Sequence, residues 1–271
     1  MKSLPKIFMI VTVIVFVLFL GCSSSNEITL LEIKNNFVET FHNLKSCSFT
    51  MSYSVNQLSV NGSYTSSSSV STQVFGMTDS YENKYYYRVN STYLNSSGTI
   101  NMNYENYVVD GILYRGAVAS GSTVWGKANA TSDDLFIFYG FNAQVSLLDY
   151  CNLTRLDDAK VNNVDCYVIK ADVDIFQYFR AMINQSQFAD EDVYFQTFND
   201  SVNRTKEMSV SFWLSKADFE IMKSYQRTVA EYIDTSTNLT EETLSFFGDH
   251  NTELPIVLPA DAQNAQWTEF G

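Results

Sequence analysis

Ser46-Cys47-Ser48-Phe49-Thr50-Met51-Ser52-Tyr53-Ser54-Val55 alternates small polar and apolar residues without a break. Successive side chains of a strand point to opposite faces, so Cys47, Phe49, Met51, Tyr53 and Val55 share one face and the serines and threonine the other. A half-buried antiparallel strand accounts for this pattern. The same period returns further on. Tyr85, Tyr87, Val89 and Tyr93 fall on one face, opposite Arg88 and Asn90, and Ile100, Met102 and Tyr104 alternate with Asn101, Asn103 and Glu105. Runs at 164–170, 208–214, 221–233 and 243–247 read alike, with Asn61-Gly62 and Asp110-Gly111 as turn dipeptides between runs.

Three segments carry a helical signal instead. Leu30, Ile33, Phe37, Phe41 and Leu44 recur at three- and four-residue steps, which predicts a helix from about Ile28 to Lys45. Thr131-Ser132-Asp133-Asp134 reads as a helix start, and the run from Leu135 to Phe141 behind it is apolar nearly all round. A third helix begins at Asp174, with Ile175, Phe179, Met182 and Ile183 on one face. Strands dominate and short turns join them, so the expected class is α+β with an antiparallel sheet. No Gly- or Pro-rich linker divides residues 30–271, which are expected to form one domain behind a polar tether at 22–29.

Composition narrows the function classes. The chain carries 17 Lys and Arg against 30 Asp and Glu, a formal net charge of −13. Such a surface repels nucleic acid, and no basic patch offsets it, so nucleic acid is excluded as a partner. Aromatic residues make up 15% of the chain, which argues against disorder. Cys47, inside the first strand, reads as a small buried apolar residue. Cys151 and Cys166 bracket a turn expected at Asp157 to Asn163, so the pairing expected under oxidising conditions is Cys151–Cys166.

The chain opens with Lys2 and Lys6, an apolar run from Ile7 to Leu20, then Gly21-Cys22 and the polar Ser23-Ser24-Ser25. This is the layout of a secretory signal. Leu20-Gly21-Cys22 resembles the lipobox of prokaryotic lipoproteins, with Phe19 where that family usually carries Leu. The resemblance implies a signal peptide at 1–21 and an acylated Cys22. It also implies an extracytoplasmic protein anchored by lipid to the outer face of the cell membrane. The alternative is an uncleaved anchor, which needs about 20 apolar residues, whereas Ile7 to Gly21 supplies 15. Nine Asn-x-Ser/Thr sequons follow, at Asn61, Asn90, Asn95, Asn129, Asn152, Asn184, Asn199, Asn203 and Asn238. A chain rich in Ser and Asn produces some by chance. Read as glycosylation sites, they belong on exposed loops or outward strand faces. Together with a lipobox they point to an archaeal cell surface.

The order of elements resembles the lipoprotein-localisation-factor family and its mycobacterial lipid-carrier lipoprotein relatives. The N-terminal helix runs straight into the strand Ser46 to Val55. Val108-Val109-Asp110-Gly111-Ile112-Leu113-Tyr114 is similar to that family's short hairpin before a Trp-bearing strand, with Trp125 standing where the Trp falls. Val161 to Ile169 is similar to its Gly-centred turn, with Asn163 in place of Gly. Trp213-Leu214 with Lys216 to Ile221 resembles a hairpin in its last third. Pro255-Ile256-Val257-Leu258-Pro259-Ala260 resembles its closing segment. The resemblance implies a large curved antiparallel sheet, a half-barrel, enclosing or packed by about three helices, with acyl chains held in the hollow.

A search for catalytic residues finds little. His42 and His250 belong to no spaced metal motif, and the chain has no phosphate-cradling Gly-rich loop and no Gly-x-Ser-x-Gly elbow. Asp190-Glu191-Asp192 is the most ligand-like carboxylate run, suited to Ca²⁺ or, more plainly, to a solvated loop. No enzyme, metal or cofactor is implied. What remains is binding of a lipid or isoprenoid in an apolar cavity. Phe49, Met51 and Tyr53 are the candidate lining on the first strand, Phe136, Phe138 and Phe141 on the second helix, and Phe176, Phe179 and Met182 on the third. The same residues packed as a plain core would instead make a structural or interaction protein of the envelope.

Overall fold

The computed structural model describes residues 28–61, 64–119, 122–131, 144–185, 191–232 and 236–268. In chain order the elements are α1 (Leu30–His42), β1 (Ser46–Asn61), β2 (Tyr64–Asp79), β3 (Lys84–Asn95), β4 (Gly98–Val109), β5 (Ile112–Ala119) and β6 (Ser122–Asn129). A 3-10 turn (Leu147–Asp149) leads to β7 (Cys151–Val161), β8 (Val164–Val173), α2 (Ile175–Gln185) and α3 (Glu191–Arg204). The chain closes with β9 (Thr205–Ser215), β10 (Ile221–Tyr232), β11 (Thr237–Gly248), α4 (Ala260–Gln263) and β12 (Gln266–Trp267). The helix expected from Thr131 lies outside the described residues.

All strands join one 12-stranded sheet in the order β12-β6-β5-β4-β3-β2-β1-β11-β10-β9-β8-β7. Two antiparallel meanders, β1 to β6 and β7 to β11, meet where β1 pairs with β11. Among the described strands, only β12 runs parallel to its neighbour. The sheet is curved and unclosed, of α+β class, with helices against it.

Local chemistry sets the boundaries. Thr29 and Glu32 form a capping box: Thr29 Oγ1 accepts from Glu32 N at 3.2 Å, and Glu32 Oε2 accepts from Thr29 N at 2.8 Å. Helix α1 therefore starts at Leu30 rather than Ile28. Asp110 and Gly111, with φ of 52° and 76°, make a two-residue turn that closes Val109 on Ile112. Asn162 and Asn163, at 48° and 67°, do the same for Val161 and Val164. Asn tolerates this left-handed region, so no Gly is required at position 163.

That tight turn decides the cysteines. It places Cys166 opposite Ala159 and Cys151 opposite Val173, at the two ends of the hairpin. The two lie roughly 23 Å apart at about 3.3 Å of rise per residue, against a reach of about 7 Å for a disulfide. The expected Cys151–Cys166 bridge does not form, and both thiols are free. The reason is that β7 continues through Asp157-Asp158-Ala159 with a register shift, where the sequence suggested a turn. A second correction concerns Asp190-Glu191-Asp192. Glu191 and Asp192 open α3 instead of lying in a loop.

Asp158, beside that shift, pairs with Lys216 of the β9–β10 turn and with Arg155. The Lys216 hydrogen bond holds its carboxyl below the ordinary carboxylate range. A carboxyl depressed by folding contributes stability above its unfolded pKa and loses it as pH falls through the folded value. Asp158→Asn is therefore expected to lower stability at neutral pH and to flatten the acid limb of the stability–pH curve. Urea midpoints measured from neutral to acid pH check this, and parallel curves for the two proteins would refute it.

The core lies on one face of the sheet. Helix α1 seals Ile33 and Phe37 against it, the Phe37 ring 5.2 Å from that of Phe212. Between β6 and β7 the chain passes to the opposite edge, and residues 144–149 bury Val145, Leu147 and Leu148 in the same core. This is the inner face. The outer face is largely Ser, Thr and Asn. It also carries an aromatic line in which Trp125 lies across Gly116 to reach Tyr107, which packs on Tyr86 and then Phe75, and a second group in which Lys223 lies over the rings of Trp213 and Phe246.

Candidate functional site

Strand register gives the inner face residue by residue. One row crosses ten strands: Ile169, Phe212, Ser224, Ser245, Met51, Val74, Val89, Tyr104, Ala117 and Val124. At the β8 end it is sealed, with Ile169 and Phe212 at 0% exposure, and at the β6 end it is open, with Val124 at 70%. The next row runs Ala171, Val210, Gln226, Thr243, Tyr53, Thr72, Ser91 and Met102, and the one after it Met208, Thr228, Glu241, Val55, Val70, Tyr93 and Ile100. Two regions emerge. Over β4 to β6, Ile100, Met102 and Val124 form an apolar floor open to solvent, bordered by half-buried Val55, Val70 and Tyr93. Across β10, β11, β1, β2 and β3 lies a polar band.

The nominated lining residues divide between core and surface. Phe49 is 2% exposed, its ring lying over Gly76, and belongs to the core rather than to a cavity wall. Met51 packs against the same core. Tyr53 is half-buried. Burial, with the charge and hydrogen bond of Glu241, pushes its phenol up to about 12. Phe176 is half-exposed on α2 and meets Phe198 of α3 edge to face at 5.4 Å, and Phe179 packs on Tyr178. Cys22, Phe136, Phe138 and Phe141 lie outside the described residues, as does the side chain of Met182.

Hollows occur elsewhere. One of about 430 Å³ beside α1 is lined by Lys34, Asn35, Val38, Glu39, His42, Asn43 and Asp149. Another, of about 240 Å³, lies among serines at the far ends of β1 and β2. None of the residues expected to line an apolar cavity borders either hollow. Alternation places Ile100 and Met102 on one apolar strand face, but nothing local marks that face as uncovered.

Of the sequons, Asn90, Asn129, Asn152, Asn199, Asn203 and Asn238 are exposed. Asn90 stands opposite in phase to Tyr87 and Val89, which are buried at 5% and 4%. Asn95 is half-buried and accepts from Ser97 N and Gly98 N, shaping the β3–β4 turn. The side chains of Asn61 and Asn184 lie outside the described residues. Burial pushes the Cys47 thiol up to about 12 and that of Cys151 up to about 11, which keeps both protonated and weakly nucleophilic. Among the described residues, no group of three or more His, Cys, Asp or Glu could hold a metal ion. Among them, too, no helix is long and apolar enough to cross a membrane.

No protein-family model matches the chain, and none of the curated proteins does. Among solved structures, LprF from Mycobacterium bovis aligns over 84% of this chain and 96% of its own, at 11% identity and a TM-score of 0.47. The lipoprotein LppX of Mycobacterium tuberculosis aligns over 84% of this chain and 98% of its own, at 8% identity and a TM-score of 0.41. At these values the likeness is one of outline.

Proposed function

We propose that this is an extracytoplasmic lipoprotein, held to the outer face of the cell membrane by an acylated Cys22 and a tether at 22–29. Its domain binds a lipid or isoprenoid on the inner face of the sheet without catalysing a reaction on it. The observation that carries this reading is the open floor. Ile100, Met102 and Val124 are 56%, 51% and 70% exposed on the face that elsewhere holds the core. A contiguous apolar surface left uncovered on a concave sheet face is a binding surface by its chemistry. On the same reading the exposed sequon asparagines face the medium and are open to glycosylation.

A second reading is favoured by Phe49 and Met51, which fill the α1 end as ordinary core. It makes the chain a structural or interaction protein of the envelope. Native mass spectrometry of the protein purified from membranes separates the two. Co-purifying lipid is expected in the parent and is lost in Met102→Glu/Val124→Glu, whose exposed positions leave stability within about 1 kcal/mol. A parent free of lipid that also fails to bind a fluorescent fatty acid would remove the first reading.

A further inference from the structure

The polar band has more hydrogen-bonding capacity than the fold uses. Ser224 and Ser245 face each other across β10 and β11, both at 0% exposure, and neither hydroxyl has a partner among the described residues. One step along the strands, Gln226 stands opposite Thr243 and Thr243 opposite Tyr53. Gln144 Nε2 donates to Gln226 Oε1 at 3.0 Å, while the buried Oε1 of Gln144 is left over. A further step brings half-buried Glu241, hydrogen-bonded by the Tyr53 phenol, opposite Val55.

Hydroxyls and amides both donate and accept, which matches another hydroxyl better than it matches an ion. Ser224 and Ser245 are sealed at the edge of the band, so the groups that an occupant meets are half-buried Gln226, Thr243 and Tyr53. The charge that Glu241 brings to the band is negative, and in a partly desolvated site it repels an anion strongly. The row that holds Tyr53 runs on through Thr72 and Ser91 to Met102, so the band and the apolar floor are continuous.

We propose that the band seats the head of an amphiphile that is uncharged and hydroxyl-bearing, that Glu241 excludes phosphate-headed lipids, and that the tail lies over Met102 toward Val124. This rests on the lipid-binding reading above and specifies its ligand class. The test uses the full mature protein and two pyrene-labelled probes with the same acyl chain, a monoacylglycerol and a lysophosphatidic acid, which differ by one phosphate. The monoacylglycerol is expected to bind at least about tenfold more tightly. In Glu241→Gln the gap is expected to close to within about threefold through a gain in lysophosphatidic acid affinity. A gain of binding does not arise from a damaged fold. Equal binding of the two probes by the parent, or an unchanged ratio in Glu241→Gln, overturns the head-group assignment alone. Binding of neither probe by the parent overturns the lipid-binding reading with it.

Discussion

Phe212→Ala is expected to destabilise the domain by about 3–5 kcal/mol. Phe212 is 0% exposed, sits between Ile169 and Ser224 on the inner face, and packs against Phe37 of α1 with the rings tilted by 50° at 5.2 Å. Its removal leaves a cavity closed on one side by the sheet and on the other by the helix, and neither can collapse without breaking the register of β8 to β10. The outer-face control is Phe75→Ala. Phe75 is 44% exposed and touches Tyr86 at 6.2 Å, so its loss should cost about 1 kcal/mol or less. Urea unfolding followed by tryptophan fluorescence measures both. Similar losses at the two positions would show that the core is not confined to the α1 side of the sheet.

The second large effect is expected at Gly76. A Cβ there would lie 2.2 Å from Cζ of Phe49, whose ring is 2% exposed and has no free volume to enter. Gly76→Ala should therefore cost about 1–3 kcal/mol by overpacking, and Gly76→Val more. Shortening the partner restores room, so Phe49→Leu/Gly76→Ala should be more stable than the sum of its single changes predicts, by at least about 1 kcal/mol. Simple additivity would mean that the ring does not lie across Gly76. The same geometry recurs on the outer face, where a Cβ at Gly116 would lie 2.9 Å from the Trp125 ring. In both places a glycine on one strand makes room for an aromatic ring from the next.

Local geometry is written in neighbouring residues. Alternation from Ser46 to Val55 named the strand and its buried face, and Asp110-Gly111 named the turn, because a two-residue period and a positive φ depend only on neighbouring residues. The start of α1 was not fixed by the apolar period, which ran back to Ile28; the capping box of Thr29 and Glu32 sets it at Leu30. Nor was the end of β1 legible. Leu58 and Val60 fall out of phase with the apolar face of Ser46 to Val55, yet residues 56–59 form strand because β2 and β11 pair with them on both sides. Tertiary structure alone decided which apolar residues became core. Phe49 and Met102 share the same strand pattern, but Phe49 meets Gly76 and Phe247 from other strands, while Met102 stands near the open edge. It also decided that Cys151 and Cys166 stand apart, since one register shift and a two-residue turn set which residues face each other. The polar band is the clearest case. Ser224 and Ser245 lie 171 and 192 residues along the chain from Tyr53 and meet it because β11 returns to pair with β1, a long-range closure that no local pattern encodes.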